Sequence, residues 1–177
     1  MSLFAMSLLQ VLCSPAVHLL SFAGLFGTQL YQSFIVTKVC YTSLPSDAFI
    51  RLQRRIFPIY FRMQSVLWLV TALSFPPTGP WSLVQGGAAD WASFAIGGLC
   101  AVLNLLLFGP NTMRAMLARR ELGMAVRGNE ENGETDVDLA AAKRRFSKNH
   151  AASIHLNLLC IIALSWHGWR LAGRMAF

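Results

Sequence analysis

Four stretches nearly free of charge decide what this chain can become. They run over Pro15–Thr37, Phe57–Phe75 with one interruption at Arg62, Trp91–Phe108 and Ala151–Trp169, each close to the roughly 17–25 residues that carry a helix through the hydrocarbon of a bilayer. A water-soluble helix of such length needs charged or polar residues along one face to stay wetted. Inside lipid, by contrast, a helix satisfies all of its backbone donors and acceptors internally. The reading is therefore an all-α, integral membrane four-helix bundle. With 55% of its 177 residues hydrophobic and only 13% charged, the chain has too few charges to cover a soluble globule.

The residues between the runs set the expected boundaries. Met1–Leu12 is apolar but lacks a basic segment ahead of it, and Ser14-Pro15 supplies a cap and a first-turn proline. Residues 1–14 are thus expected to form a short amphipathic N-terminal segment at the interface, or a kinked extension of the first span. The remainder, 15–177, is expected as one transmembrane domain with helices at about 15–40, 57–75, 90–109 and 149–170. Pro45, with Ser46 or Asp47 as cap, precedes Ala48–Ile56, which leads into the second span. Pro76-Pro77 ends that span, and Thr78–Asp90 is predicted as a loop bracketed by Trp81 and Trp91 in an aromatic belt. Gly109-Pro110 closes the third span. Asn111–Leu122 then reads as a basic amphipathic helix near the headgroups, with Met113, Met116 and Leu117 on one side. Met124–Glu134 reads as a flexible loop. Thr135 and Asp138 resemble a capping box opening a helix that enters the fourth span. Basic helix extensions therefore flank the last two spans.

Charge placement gives orientation. Lys38, Arg51, Arg54, Arg55 and Arg62 lie on the side that joins the first two spans. Arg114, Arg119, Arg120, Arg127, Lys143, Arg144, Arg145 and Lys148 join the last two, and only Arg170 and Arg174 fall on the other side. The positive-inside tendency places both groups in the cytoplasm and both termini in the lumen or outside the cell. The net charge of +7 thus reads as orientation and contact with the lipid bilayer; no nucleic-acid motif is present, and no nucleic-acid partner is expected. Arg62 sits about seven residues past Arg55, roughly 10 Å along a helix, so its side chain can snorkel outward. It is expected to be an interfacial anchor.

Within the spans, polar residues recur every three, four or seven positions. His18, Ser21, Thr28, Gln29 and Gln32 align on the first, Tyr60, Gln64 and Thr71 on the second, Ser93, Gly97, Cys100 and Asn104 on the third, and His150, Ser153, Asn157 and Cys160 on the fourth. Small and amide residues at that spacing suit close helix packing in lipid. Gln29, Gln64, Asn104, His150 and Asn157 are the candidate intramembrane polar cluster. Arg62 and His155 point away from these stripes, so His150 and His155 do not present a metal pair. Cys13, Cys40, Cys100 and Cys160 have no ligand spacing. No catalytic constellation, cofactor motif or metal signature is visible, so no enzyme activity and no cofactor is expected. All eight acidic residues lie outside the expected spans, which weighs against proton- or cation-coupled transport without eliminating it.

Three separated motifs, SLPSDAFIRLQRRIFPIYF (Ser43–Phe61), FGPNTMRAM (Phe108–Met116) and RRFSKNHAASIHLNLL (Arg144–Leu159), resemble the transmembrane protein 205 family, whose shared domain is of unknown function. The resemblance covers roughly His18 to Ala163 and departs from the vertebrate pattern at Arg62 and in the loop after Met124. It implies a four-helix integral membrane protein and supplies no reaction. The leading expectation is a non-enzymatic bundle of the endomembrane system or plasma membrane that acts through membrane-protein partners, lipid contacts, trafficking or a homo-oligomer. The alternative is a small-solute or ion transporter or channel.

Overall fold

The computed structural model describes residues 13–128 and 133–175. The described residues are helical and contain no strand. The first span comprises α1 (Pro15–Leu30), a π-helical segment (Tyr31–Val36) and α2 (Thr37–Ser43). Ser14 caps it as expected, its hydroxyl accepting from the Val17 amide at 3.3 Å. Leu44, extended before Pro45, breaks the helix because a residue preceding proline avoids the α region.

The second span is α3 (Ser46–Leu73), one helix where a lead-in segment and a span from about residue 57 were expected. Pro58 does not divide it. Proline removes one backbone donor, and Arg54, whose carbonyl loses its partner, is exposed. No side chain caps this helix; Asp47 instead pairs with Arg120 at 2.9 Å. The expected loop Thr78–Asp90 contains a short helix, α4 (Pro80–Gln85), started by Pro80 and by Gly79 at φ 72°.

The third span is α5 (Ala88–Leu103), a π-helical segment (Asn104–Phe108) and α6 (Gly109–Gly128). Gly109-Pro110 does not stop it, since the π turn just before, with the Gly109 amide bonded to the Asn104 carbonyl, is a local adjustment that lets a membrane helix carry a proline. The basic segment therefore continues along the span's direction. It does not lie flat among headgroups, because α6 packs along α7. The fourth span is α7 (Gly133–Ala172), 40 residues long. It begins two residues before Thr135, which is therefore not its cap. The expected loop Met124–Glu134 shrinks accordingly: helix formers carry α6 through Gly128, and residues 129–132 lie outside the described residues, as do Met1–Leu12.

The spans pack in a closed ring: α1 on α3, α3 on α5, α5 on α7 and α7 on α1. Leu25, Trp68, Phe94, Ala101, Cys160 and Leu164 lie in the core. The polarity of the whole is reversed relative to a soluble bundle. Gln29, Gln64, Thr71 and Asn104 are almost fully buried, whereas Leu20, Ile59, Val66, Leu99 and Leu106 are each more than half exposed. Such an apolar surface is stable against hydrocarbon and not against water. Among the described residues, four helices are long and apolar enough to cross a membrane. Exposed Arg62 stands on the same outward stripe as Ile59, Val66 and Leu69 and forms no salt bridge among the described residues.

Candidate functional site: a polar axis and a basic helical pair

Polar side chains converge at three levels of the bundle. In the middle, Asn157 on α7 is a hub. Its carbonyl accepts from Tyr60 at 2.7 Å and from Gln64 at 3.1 Å, both on α3, and its amide donates to Ser33 at 2.6 Å. One residue thereby ties three of the four spans. Asn104 donates to the Ser153 carbonyl at 3.2 Å, one turn from Asn157. Ser33 and Asn104 both lie in π-helical segments, where the widened turn redirects side chains. Gln29 is fully buried, and its amide has no partner among the described residues. Gln64, Asn157, Asn104 and Gln29 thus share the interior. His150 does not join them: half buried, it stacks on Phe146, with ring centroids 5.1 Å apart, and Arg119 covers the same Phe146 ring. Helical phase gives His150 the right face, but α6 rather than the polar stripes is its neighbour at that depth.

Toward the ends of the chain, His18 and His167 meet, Nε2 to Nε2, at 3.1 Å. The Thr71 carbonyl lies 2.9 Å from His18 Nδ1, so Nδ1 carries the proton and Nε2 accepts from His167 Nε2–H. His167 Nδ1 is then an unpartnered buried lone pair, inside a cage of Phe22, Phe75 and Phe94 rings. One turn further out, Asp90 accepts from Arg170 at both oxygens, each at 3.0 Å, and also from Arg174. Asp90 is only 1% exposed. Asp90 borders the uncharged run of the third span, and in the first turn of α5 it is buried because two guanidiniums compensate it.

His167 and Asp90 were absent from the candidate cluster although their signal was in the sequence. His167 continues the Asn157–Cys160 stripe, and Asp90 precedes Ser93 by one turn. Asp90 falls one residue before the third uncharged run, while the stripe on the fourth span is read only as far as Cys160 although that run continues past His167.

At the opposite end, α6 and the first half of α7 enclose a groove of about 920 Å³ lined by Asn111, Arg114, Ala115, Arg145 and Asn149, with Asp138 at its far end. Among the described residues no group of three metal-ligating side chains comes together.

These features define a polytopic helical membrane protein with a bonded polar interior. Residues 20–121 match the family model described as "Domain of unknown function (DUF4149)", and the chain belongs to that family. It is also 35% identical over 162 residues to "Xanthocillin biosynthesis cluster protein D" of Aspergillus fumigatus, covering 89% of this chain and 88% of the relative. No solved structure matches the chain.

Proposed function

We propose that this protein is a non-catalytic membrane protein that works by contact, through the basic helical pair that projects from one side of the bilayer. The observation that carries this reading is length. A helix of 40 residues, such as α7, spans roughly 60 Å at 1.5 Å per residue, about twice the hydrocarbon thickness. The surplus of α6 and α7 carries Arg114, Arg119, Lys143, Arg144, Arg145 and Lys148, so what leaves the membrane is a cationic hairpin suited to anionic lipid or an acidic partner. The Aspergillus fumigatus relative is named for a biosynthesis cluster, and a non-catalytic member of such a set would act beside other proteins. The narrower likeness to the transmembrane protein 205 family rests on the three motifs above and points the same way. Exposed Arg62 serves in this reading as an interfacial anchor for α3.

The hairpin is placed in the cytoplasm, and both termini in the lumen or outside, by the distribution of Lys and Arg. Glycosylation acceptors inserted after Ser2 and Gly79 are expected to be modified, and one after Glu130 is not. Modification at Glu130 would reverse the orientation.

One observation favours the second reading, passage of a small polar solute or ion along the interior. Gln29, Gln53, Gln64, Asn104 and His167 each keep a buried polar atom without a partner, and such atoms ordinarily hold water. Purified protein in liposomes is expected to give no ion or solute flux above empty vesicles. A flux abolished by Gln29→Leu, which removes an unpaired amide without breaking a protein hydrogen bond, would transfer the function to the polar axis.

A further inference from the structure

We infer that the groove between α6 and α7 is a binding site for the phosphate headgroup of an acidic phospholipid, clamped between Arg114 and Arg145. The inference rests on the contact reading above and names its chemistry.

Depth places the site. Asp90 and Arg170 are bonded at one end of the antiparallel pair α5–α7. Asn111 lies about 21 residues beyond Asp90 along one helix, and Asn149 about 21 residues before Arg170 along the other, in each case roughly 32 Å at 1.5 Å per residue. That length matches a hydrocarbon core of about 30 Å. Asn111 and Asn149 therefore mark the hydrocarbon edge. Arg114 and Arg145 stand about one turn further out, roughly 5 Å, within the headgroup layer.

Chemistry selects the occupant. Arg114 and Arg145 line opposite walls of one groove whose floor is Ala115 and Ala142, 2% and 9% exposed. Among the described residues neither arginine has a carboxylate partner, while nearby Arg120 is engaged by Asp47. Two guanidiniums lining one groove with no carboxylate partner favour an anion there, and the guanidinium fork matches phosphate oxygens. Asn149, whose amide donates to the Arg145 carbonyl at 2.9 Å, and Asn111 add polar groups at the membrane-facing rim. Asp138, the groove's one acidic lining residue, is about seven positions before Arg145, roughly 10 Å deeper into the cytoplasm, where it bars an anion from sliding outward. The groove is thus open to a lipid approaching from the bilayer and electrostatically closed at its far end.

The test uses the full chain in nanodiscs of phosphatidylcholine with and without phosphatidic acid, with native mass spectrometry counting retained lipids. Wild type is expected to retain phosphatidic acid over phosphatidylcholine, and Arg114→Gln with Arg145→Gln to lose that preference by roughly tenfold. Arg114→Lys with Arg145→Lys, which keeps the charge, guards against a folding failure and should lose less. The control, Arg54→Gln with Arg55→Gln, removes the same charge from exposed positions on α3 and should change retention by less than about twofold. Equal loss in control and groove variants would replace the site with diffuse surface attraction. Full retention in the groove pair would overturn the proposal while leaving the hairpin free to bind an acidic protein. Displacement of the lipid by inorganic phosphate or glycerol 3-phosphate would make the occupant a soluble phosphate and overturn the lipid assignment.

Discussion

Gly97→Val is expected to destabilise the detergent-solubilised protein by about 1–3 kcal/mol, whereas Gly98→Val should stay within about 0.5 kcal/mol of wild type. The two glycines are adjacent on α5, yet a Cβ at Gly97 would strike the Trp68 indole and one at Gly98 would meet nothing within 4 Å. Trp68 has no room to retreat. It is 3% exposed and its ring meets the edge of Phe94 at 5.6 Å between centroids. On the other side of the same backbone, Cys160 on α7 donates its thiol to the Gly97 carbonyl at 3.2 Å. Three spans therefore converge where only hydrogen fits. In lipid, burying apolar surface supplies little drive between helices, and close van der Waals contact does the work. A branched side chain would push α5 away from α3 along the whole contact. The comparison is read by thermal melting of both variants, and equal shifts would mean that α5 and α3 do not meet through Gly97.

The contrast between these neighbours explains what sequence can disclose in such a protein. The existence of four spans was legible because hydrocarbon demands long uncharged runs, and the buried face of each was legible because Tyr60, Gln64 and Thr71, or Ser93, Gly97 and Asn104, repeat at helical spacing. Depth and partnership were not. His150 is in phase with Asn157, but phase carries no information about which element passes beside it, and α6 passes there. The same ambiguity hid the continuity of α5 into α6: Gly109-Pro110 is a sound stop signal by local chemistry, yet the π turn ahead of Pro110, in which the Gly109 amide bonds the Asn104 carbonyl, lets a membrane helix carry the proline. The π-helical segments that bring Ser33 and Asn104 inward leave no composition signal. Asp90 stands at the start of its span as its position predicts, but the sequence does not show that it pairs with Arg170 and Arg174 from the far end of the chain and is buried there.

Asn157→Leu is expected to cost about 2 kcal/mol, the combined loss of three interhelical hydrogen bonds that each average about 0.6 kcal/mol inside membranes. Leucine keeps the branching and the number of side-chain heavy atoms but is bulkier, so overpacking adds to the loss of polarity. What it strands is specific: the Tyr60 hydroxyl and the Gln64 amide lose their acceptor, and Ser33 loses its donor. Tyr60 and Gln64 cannot turn outward, being 5% and 1% exposed, and a buried polar group without a partner carries a penalty beyond the missing bond. His155→Leu provides the contrast two residues away. His155 is exposed on the outward face and bonds only the Ala151 carbonyl of its own helix, at 2.6 Å, so leucine there should be neutral or slightly stabilising. His150→Leu belongs nearer the second case than the first, because it exchanges one stacked contact with Phe146 for another apolar contact. Melting in detergent, with crosslinking between Ser33→Cys and a cysteine on α3 as a second readout, should show Asn157→Leu as the most destabilised, His150→Leu much less so and His155→Leu least. A ranking that put His150 beside Asn157 would mean that the histidine reaches the central network after all, and the polar axis would then extend from His18 to the mouth of the basic groove.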